Sequence, residues 1–254
     1  TMRQVFDRSS RLTQFIDRLN RTSLASYDRV GNLTKTVDAL GNTVLMNFDG
    51  ANRLTKTIDA NQHTMAQAFD AAGRITKVVD ANNHTSTTSY DGNGQVLSTI
   101  NAANNTATYA YDGNGNVTRT VDAVGNTMLF YFDGANRLTK TINANNRTAL
   151  QSFDPAGRLT STTGFAGAAT VYSLDKVGNV TRTVDPGGNT LLQYYDDNNR
   201  VTQAITQVGY TSSVVFDNFG RVSQTINGAG DTQGMFYDFA GRLTKTIDGE
   251  GKTA

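Results

Sequence analysis

Short bursts of alternating aliphatic and polar residues run the length of this chain. Arg137-Leu138-Thr139-Lys140-Thr141-Ile142 is typical: branched aliphatics stand at alternate sites with Thr and a basic residue between them. Such bursts are rich in Thr, Val, Ile and Leu, and six or seven residues are too few for a helix, so they predict β-strands. Between them lie two kinds of polar break, both reading Asp-x-x-Gly or Asp-x-x-Asn. Asp opening a turn can hydrogen-bond the backbone two residues on, and Gly or Asn at the fourth place supplies a left-handed residue. The pattern therefore predicts strands joined by tight hairpin turns.

The breaks are strictly periodic. An aromatic–Asp pair recurs at Phe6-Asp7, Tyr27-Asp28, Phe48-Asp49, Phe69-Asp70, Tyr90-Asp91 and Tyr111-Asp112. It continues at Phe132-Asp133, Phe153-Asp154, Leu174-Asp175, Tyr195-Asp196, Phe216-Asp217 and Tyr237-Asp238, always 21 residues apart, with Leu174 the one non-aromatic anchor. Number the aromatic as position 0. Asp then fills position 1 in all twelve copies, and Leu, Ile or Val fills position 6 in all twelve. Position 4 is glycine at Gly31, Gly73, Gly94, Gly115, Gly157, Gly178, Gly220 and Gly241; Asn52, Asn136, Asn199 and Ser10 take the other copies. Asp or Asn stands at position 11 in ten copies, Gly or Asn at position 14 in eleven with Gln62 the exception, and Thr at position 16 in eleven. Each repeat is expected to be a two-stranded hairpin unit. The whole is then an all-β antiparallel array of about 24 strands over residues 1–254, a strip roughly 115 Å long at ~4.8 Å per strand. The only prolines, Pro155 and Pro186, each follow a turn Asp and fall in no expected strand.

Composition narrows the function classes. Apolar residues make up 37% of the 254, below the ~45–50% of an ordinary globular domain, and Thr alone accounts for 37 residues. Within the short strand, positions 6 and 10 are aliphatic, but Lys or Arg stands between them in seven copies, and the opposite face carries Arg and Thr. Neither face is a continuous hydrophobic wall, which suits a sheet solvated over much of its area better than a dense sandwich. With no Cys, disulfides and thiolate chemistry are excluded. A net charge of +1 argues against nucleic-acid binding, and no apolar run is long enough to insert in a membrane as a helix. The charges belong to the repeat: Asp at position 1 and Arg at position 5 are expected to form ladders along the array, each exposed pair contributing little.

Candidate chemistry is sparse. His63 and His84 stand at the same repeat position, 21 residues apart, ~9.6 Å across two strand spacings, too far to share a zinc ion. Asp112-Gly113-Asn114-Gly115-Asn116 lacks the later Gly and Glu of a calcium loop. Gly92-Asn93-Gly94 is a hairpin, not a phosphate loop, since no helix follows. Seven Asn-x-Ser/Thr sequons, such as Asn32-Leu33-Thr34, follow from the repeat consensus. No catalytic residue, cofactor or metal site is expected.

These motifs resemble a known family. Tyr237-Asp238-Phe239-Ala240-Gly241-Arg242-Leu243-Thr244 and Phe153-Asp154-Pro155-Ala156-Gly157-Arg158-Leu159-Thr160 are similar to the YD repeat of RHS proteins. The resemblance covers essentially the whole chain. It implies hairpins coiled into a hollow β-shell or tube, as in bacterial RHS toxins, the cocoon subunits of insecticidal toxin complexes, and teneurins. It further implies a secreted or cell-surface protein whose wall encloses a C-terminal toxin or other cargo. The self-cleaving core of RHS proteins has no counterpart: Asp154-Pro155 and Asp185-Pro186 are ordinary turn residues. Thr1 and Thr253 occupy the same repeat position, so an excerpt of a longer array, or one unit of a polymer, is expected. The partners are then further copies of the repeat. Two rival readings remain: a self-assembling extracellular filament, and a module whose aromatic and Asn/Asp rows bind surface glycans. Residues 27–68 and 111–152 are also near copies at a shift of four repeats, read either as block duplication or as a structural superperiod.

Overall fold

The structure, a computed structural model, describes residues 1–253 and is all-β. Its contacts divide the chain into two units, 1–127 and 128–254. The first unit holds twelve strands, from Arg3–Phe6 to Val117–Val121. Each pairs antiparallel with the strand before and after it in the chain. The second unit repeats the arrangement from Thr127–Phe132 to Leu243–Asp248.

Each repeat carries a long strand ending on the position 0 residue and a short strand beginning at position 6. Thr22–Tyr27 and Leu33–Val37 are one such pair, of six and five residues. The short strands are shorter than the alternation suggests. Arg137, for example, is not in a strand, which begins at Leu138. The reason is the turn: Asp133 N donates to Arg137 O at 3.0 Å and Asn136 N donates to Asp133 O at 3.0 Å. This five-residue closure claims position 5 and ends on a left-handed residue, the form of a type I turn followed by a G1 bulge.

All 24 turns, at positions 1–5 and 11–15, put a positive φ at their fourth residue, Gly in fifteen and Ser10, Gln62 or Asn in nine. The non-glycine cases sit between 56° and 67°, the small left-handed well that L residues can reach. Position 1 Asp holds the turn from inside: Asp49 Oδ1 accepts the N–H of Ala51 at 2.9 Å and of Arg53 at 3.0 Å.

A second β-bulge recurs in every hairpin and explains the odd period. In the first, Val5 faces Gln14 but Phe6 faces Leu12, so Thr13 has no partner opposite. The same slip, always between the last two residues of the long strand, recurs in the other eleven hairpins. No slip occurs in the ten described pairings of a short strand with the next long one. The extra residue bends the bulged strand and increases its local right-handed twist, so each repeat adds the same bend. It also interrupts the strict alternation read from the sequence. The residue at position 7 stabilises the bulge through its hydroxyl: Thr55 Oγ1 donates to Asn47 O at 3.1 Å, and Thr139 Oγ1 to Tyr131 O at 3.1 Å.

No described residue is fully buried, polar or apolar. Each unit is therefore sheet without a covered core, and its faces remain open to water. Stability must come from ladder hydrogen bonds, half-covered side chains and whatever ties one repeat to the next.

Candidate functional site

The feature that recurs with enough chemistry to be called a site is the joint between successive repeats, on the rim formed by the turns at positions 1–5. It begins with Arg at position 5. Arg74 Nε donates to Asp70 Oδ2 at 2.7 Å, within its own turn. The guanidinium then reaches forward: its carbon lies 4.5 Å from the centroid of the Tyr90 ring, and Nη1 donates to Asp91 O at 3.4 Å. One side chain thus grips its own turn and the aromatic–Asp pair of the next repeat.

The same stack forms between Arg11 and Tyr27, Arg53 and Phe69, Arg137 and Phe153, Arg200 and Phe216, and Arg221 and Tyr237, at 3.9 to 4.7 Å. The ladder expected from charge alone takes a different form. The Asp–Arg ion pairs are local, four residues apart; the step to the next repeat is cation–π stacking and a hydrogen bond to a carbonyl. Arg158, which faces Leu174, lacks a ring and instead donates through Nη1 to Asp175 O at 2.7 Å. These side chains are half-covered, with Arg74 31% exposed. Arg242, with no further repeat over it among the described residues, keeps its ion pair to Asp238 but is 80% exposed.

The anchor residue adds a second tie, in the opposite direction. Tyr27, Tyr90, Tyr111, Tyr195 and Tyr237 each donate a phenol hydrogen to the position 6 carbonyl of the preceding repeat, at 2.8 to 3.2 Å. Where the anchor is Phe69, Gln67 Nε2 reaches the equivalent carbonyl of Leu54 at 2.9 Å. Phe153 and Phe216 have no hydroxyl but lie under Arg137 and Arg200. These position 0 rings are therefore engaged between repeats rather than displayed as a free row.

Several turn carboxylates are held as anions. The guanidinium of Arg53 beside Asp49, and then the Arg53 backbone N–H, hold that carboxyl below its ordinary value of 3.8; Asp133 and Asp196 respond in the same way to Arg137 and Arg200. On the opposite rim, the Asn42 side-chain amide comes first in lowering Asp38. His63 and His84 belong to that rim, each with Nδ1 3.0 Å from the Asp of its own turn, Asp59 and Asp80. No group of three or more His, Cys, Asp or Glu that could hold a metal occurs among the described residues.

A family comparison assigns the repeat. The teneurin YD-shell family matches residues 57–253, most of the chain. The chain belongs to the teneurin YD-shell family. The RHS repeat also matches, over residues 27–64. Members of these families are structural shell and repeat proteins, and this YD-shell chain is a structural repeat wall. Comparison with curated proteins gives no match. Among solved structures, a TcdB2-TccC3 crystal structure is 13% identical over 100% of this chain and 19% of its own, with a TM-score of 0.40. A Photorhabdus luminescens Tc holotoxin pore is 14% identical over 99% and 17%, with a TM-score of 0.41. A porin-like protein from Bacteroides uniformis is 13% identical over 92% of both chains, with a TM-score of 0.19. The YD-shell chain thus spans about a fifth of the length of the toxin chains it is similar to. Among the described residues no helix is long and apolar enough to cross a membrane.

Proposed function

We propose that residues 1–254 are a single stretch of repeat array in the wall of a hollow β-shell, part of a large secreted or cell-surface protein, and that the shell holds a toxin or other cargo. The observation that carries this reading is the pairing of two facts. Successive repeats are tied through one recurring joint, while no described side chain is fully buried. Such a sheet has no enclosed pocket for chemistry and invests its contacts in continuity along the array. The turn carboxylate of Asp49, which an acid–base enzyme would need free, is occupied by N–H donors, which supports a structural role. Its immediate partners are further YD repeats.

Negative-stain electron microscopy of the protein at its natural length tests the proposal. Closed hollow particles with internal density are expected. Long fibres with a regular axial repeat would overturn the container reading and make the chain a slice of a filament.

A further inference from the structure

The joint has two forms, and they correlate across the repeat boundary. In seven steps the residue at position 5 is Arg and position 4 of the following repeat is Gly: Arg11 with Gly31, Arg53 with Gly73, Arg74 with Gly94, Arg137 with Gly157, Arg158 with Gly178, Arg200 with Gly220, and Arg221 with Gly241. In three steps position 5 is Asn and the following position 4 is Asn: Asn32 with Asn52, Asn116 with Asn136, and Asn179 with Asn199. Gln95 with Gly115 is the remaining step, and there Gln95 Nε2 donates to Gly115 O at 3.4 Å.

The geometry supplies the reason. A Cβ added at Gly220 would stand 2.9 Å from Arg200 Nη1, and one at Gly94 or Gly157 would stand 3.0 Å from Nη1 of Arg74 or Arg137. At these three steps the guanidinium lies where a side chain at the next turn would begin; at Gly31 and Gly73 the added Cβ would stand 3.4 Å from the Arg, and at Gly178 and Gly241 3.7 and 3.9 Å, in ordinary contact. A shorter Asn leaves that space, and an Asn on the next turn fills it: Asn32 Nδ2 donates to Asn52 Oδ1 at 3.1 Å, and Asn179 Nδ2 to Asn199 Oδ1 at 2.8 Å.

The opposite rim is an internal control. Its turns have the same backbone and the same choice of Gly or Asn at the left-handed site, yet Asn42 is followed by Gln62, Asn105 by Gly125 and Asn126 by Asn146. Asn there does not select Asn, and although Arg21 and Arg147 are followed by Gly41 and Gly167, a Cβ at Gly41, Gly125, Gly167 or Gly230 would meet nothing within 4 Å. Because residues 27–68 and 111–152 are near copies, two of the Asn–Asn steps descend together; the contact distances, rather than the tally, carry the conclusion.

We infer that the position 1–5 rim is a matching surface by which one repeat selects its neighbour: a repeat ending its turn in Arg accepts a following repeat with Gly at position 4, and one ending in Asn accepts Asn. Glycine at these sites serves the neighbour's guanidinium as well as its own φ. The surface presented by Arg242 accordingly fits a YD repeat of the Gly type. This rests on the reading of the chain as a repeat wall, but its test does not depend on a shell or on cargo.

A thermal double-mutant cycle decides it. G220N, R200N and the pair R200N/G220N are compared with G230N, which imposes the same exchange on the rim without the contact. G220N is expected to lower Tm by about 3–6 °C more than G230N. The double variant is expected to melt about 3–6 °C above the sum of the two single shifts. Equal losses in G220N and G230N, or an additive double variant, would overturn the inference. Should G220N not fold, N179R is read in its place: rescue by added N199G supports the matching rule, and no rescue refutes it.

Discussion

Replacing Arg74 by Lys isolates what the joint contributes. Lys keeps the charge near Asp70, so the local ion pair is largely conserved between wild type and variant. It loses the planar stack on Tyr90, 4.5 Å away, and the Nη1 donation to Asp91 O. The stack is worth ~0.5–1 kcal/mol at a partly exposed site, and the hydrogen bond adds ~0.5–1 kcal/mol. Together the interface term falls by about 1–2 kcal/mol. In a repeat array, where each unit contacts only its neighbours, this loss shows as easier local opening rather than a uniform drop in stability. Amide hydrogen exchange in Thr85–Tyr90 and Val96–Ile100, the hairpin beyond the joint, should quicken by about 5–30-fold. Arg242 is the control, since it has the ion pair without a repeat stacked over it. R242K should leave exchange in Thr232–Tyr237 unchanged. If R74K has no effect on exchange, or R242K matches it, the forward contacts contribute nothing and the joint is only a pair of local turns.

Three further outcomes follow from departures within the repeat. L174F supplies the missing ring under Arg158, whose partners in the next repeat are carbonyls alone; calorimetry should show Tm higher by about 1–4 °C, and no gain would mean the ring is not used. L97T restores a hydroxyl at position 7, where Leu97 is 41% exposed and Ser89 stands where the residue whose carbonyl accepts from Thr stands elsewhere. Its hydrogen bond should raise Tm by about 1–4 °C, and an unchanged or lower value counts against the role given to Thr at the bulge. Acid should unfold the array in a defined window. Asp49, Asp133 and Asp196 are depressed below 3.8 by their Arg side chains and backbone N–H groups. Their stabilisation is therefore complete above that value and is lost as pH falls through the lower folded values. Tm should be level above about pH 5 and fall steeply below about pH 4; a profile that stays flat to pH 2 would show that the turn carboxylates do not hold the fold.

Much of the local structure was legible because it depends on contacts within five residues. Asp-x-x-Gly and Asp-x-x-Asn mark turns by themselves, and Ser10 and Gln62 adopt the same left-handed geometry at sites that Gly or Asn fills in the other eleven copies. The bulge was not legible: Thr13 or Thr139 looks like any polar residue of an alternating strand. Its trace was the odd period. Strands of equal length joined by equal turns would repeat every even number of residues, and 21 is odd because position 7 has no partner. The reach of Arg from one repeat to the next was hidden for another reason. Its partners lie 16 to 20 residues downstream, so they look like separate consensus columns until position 5 of one copy is read beside position 4 of the next.

That arrangement also explains how a sheet with no fully buried side chain can hold together. A globular domain earns its stability from a shared core, which single substitutions damage for every element at once. Here Tyr ties backward to the position 6 carbonyl, and Arg ties forward to the next ring and carbonyl. A repeat with both features, such as that of Tyr90 and the Arg74 before it, is thus anchored by side chains that need no second layer. Weak joints, such as Arg158 against Leu174, then weaken only their own boundary. The wall tolerates variation at any one step, provided the two residues that meet there vary together, and this is why the rim with contacts shows paired Gly and Asn choices while the rim without them does not.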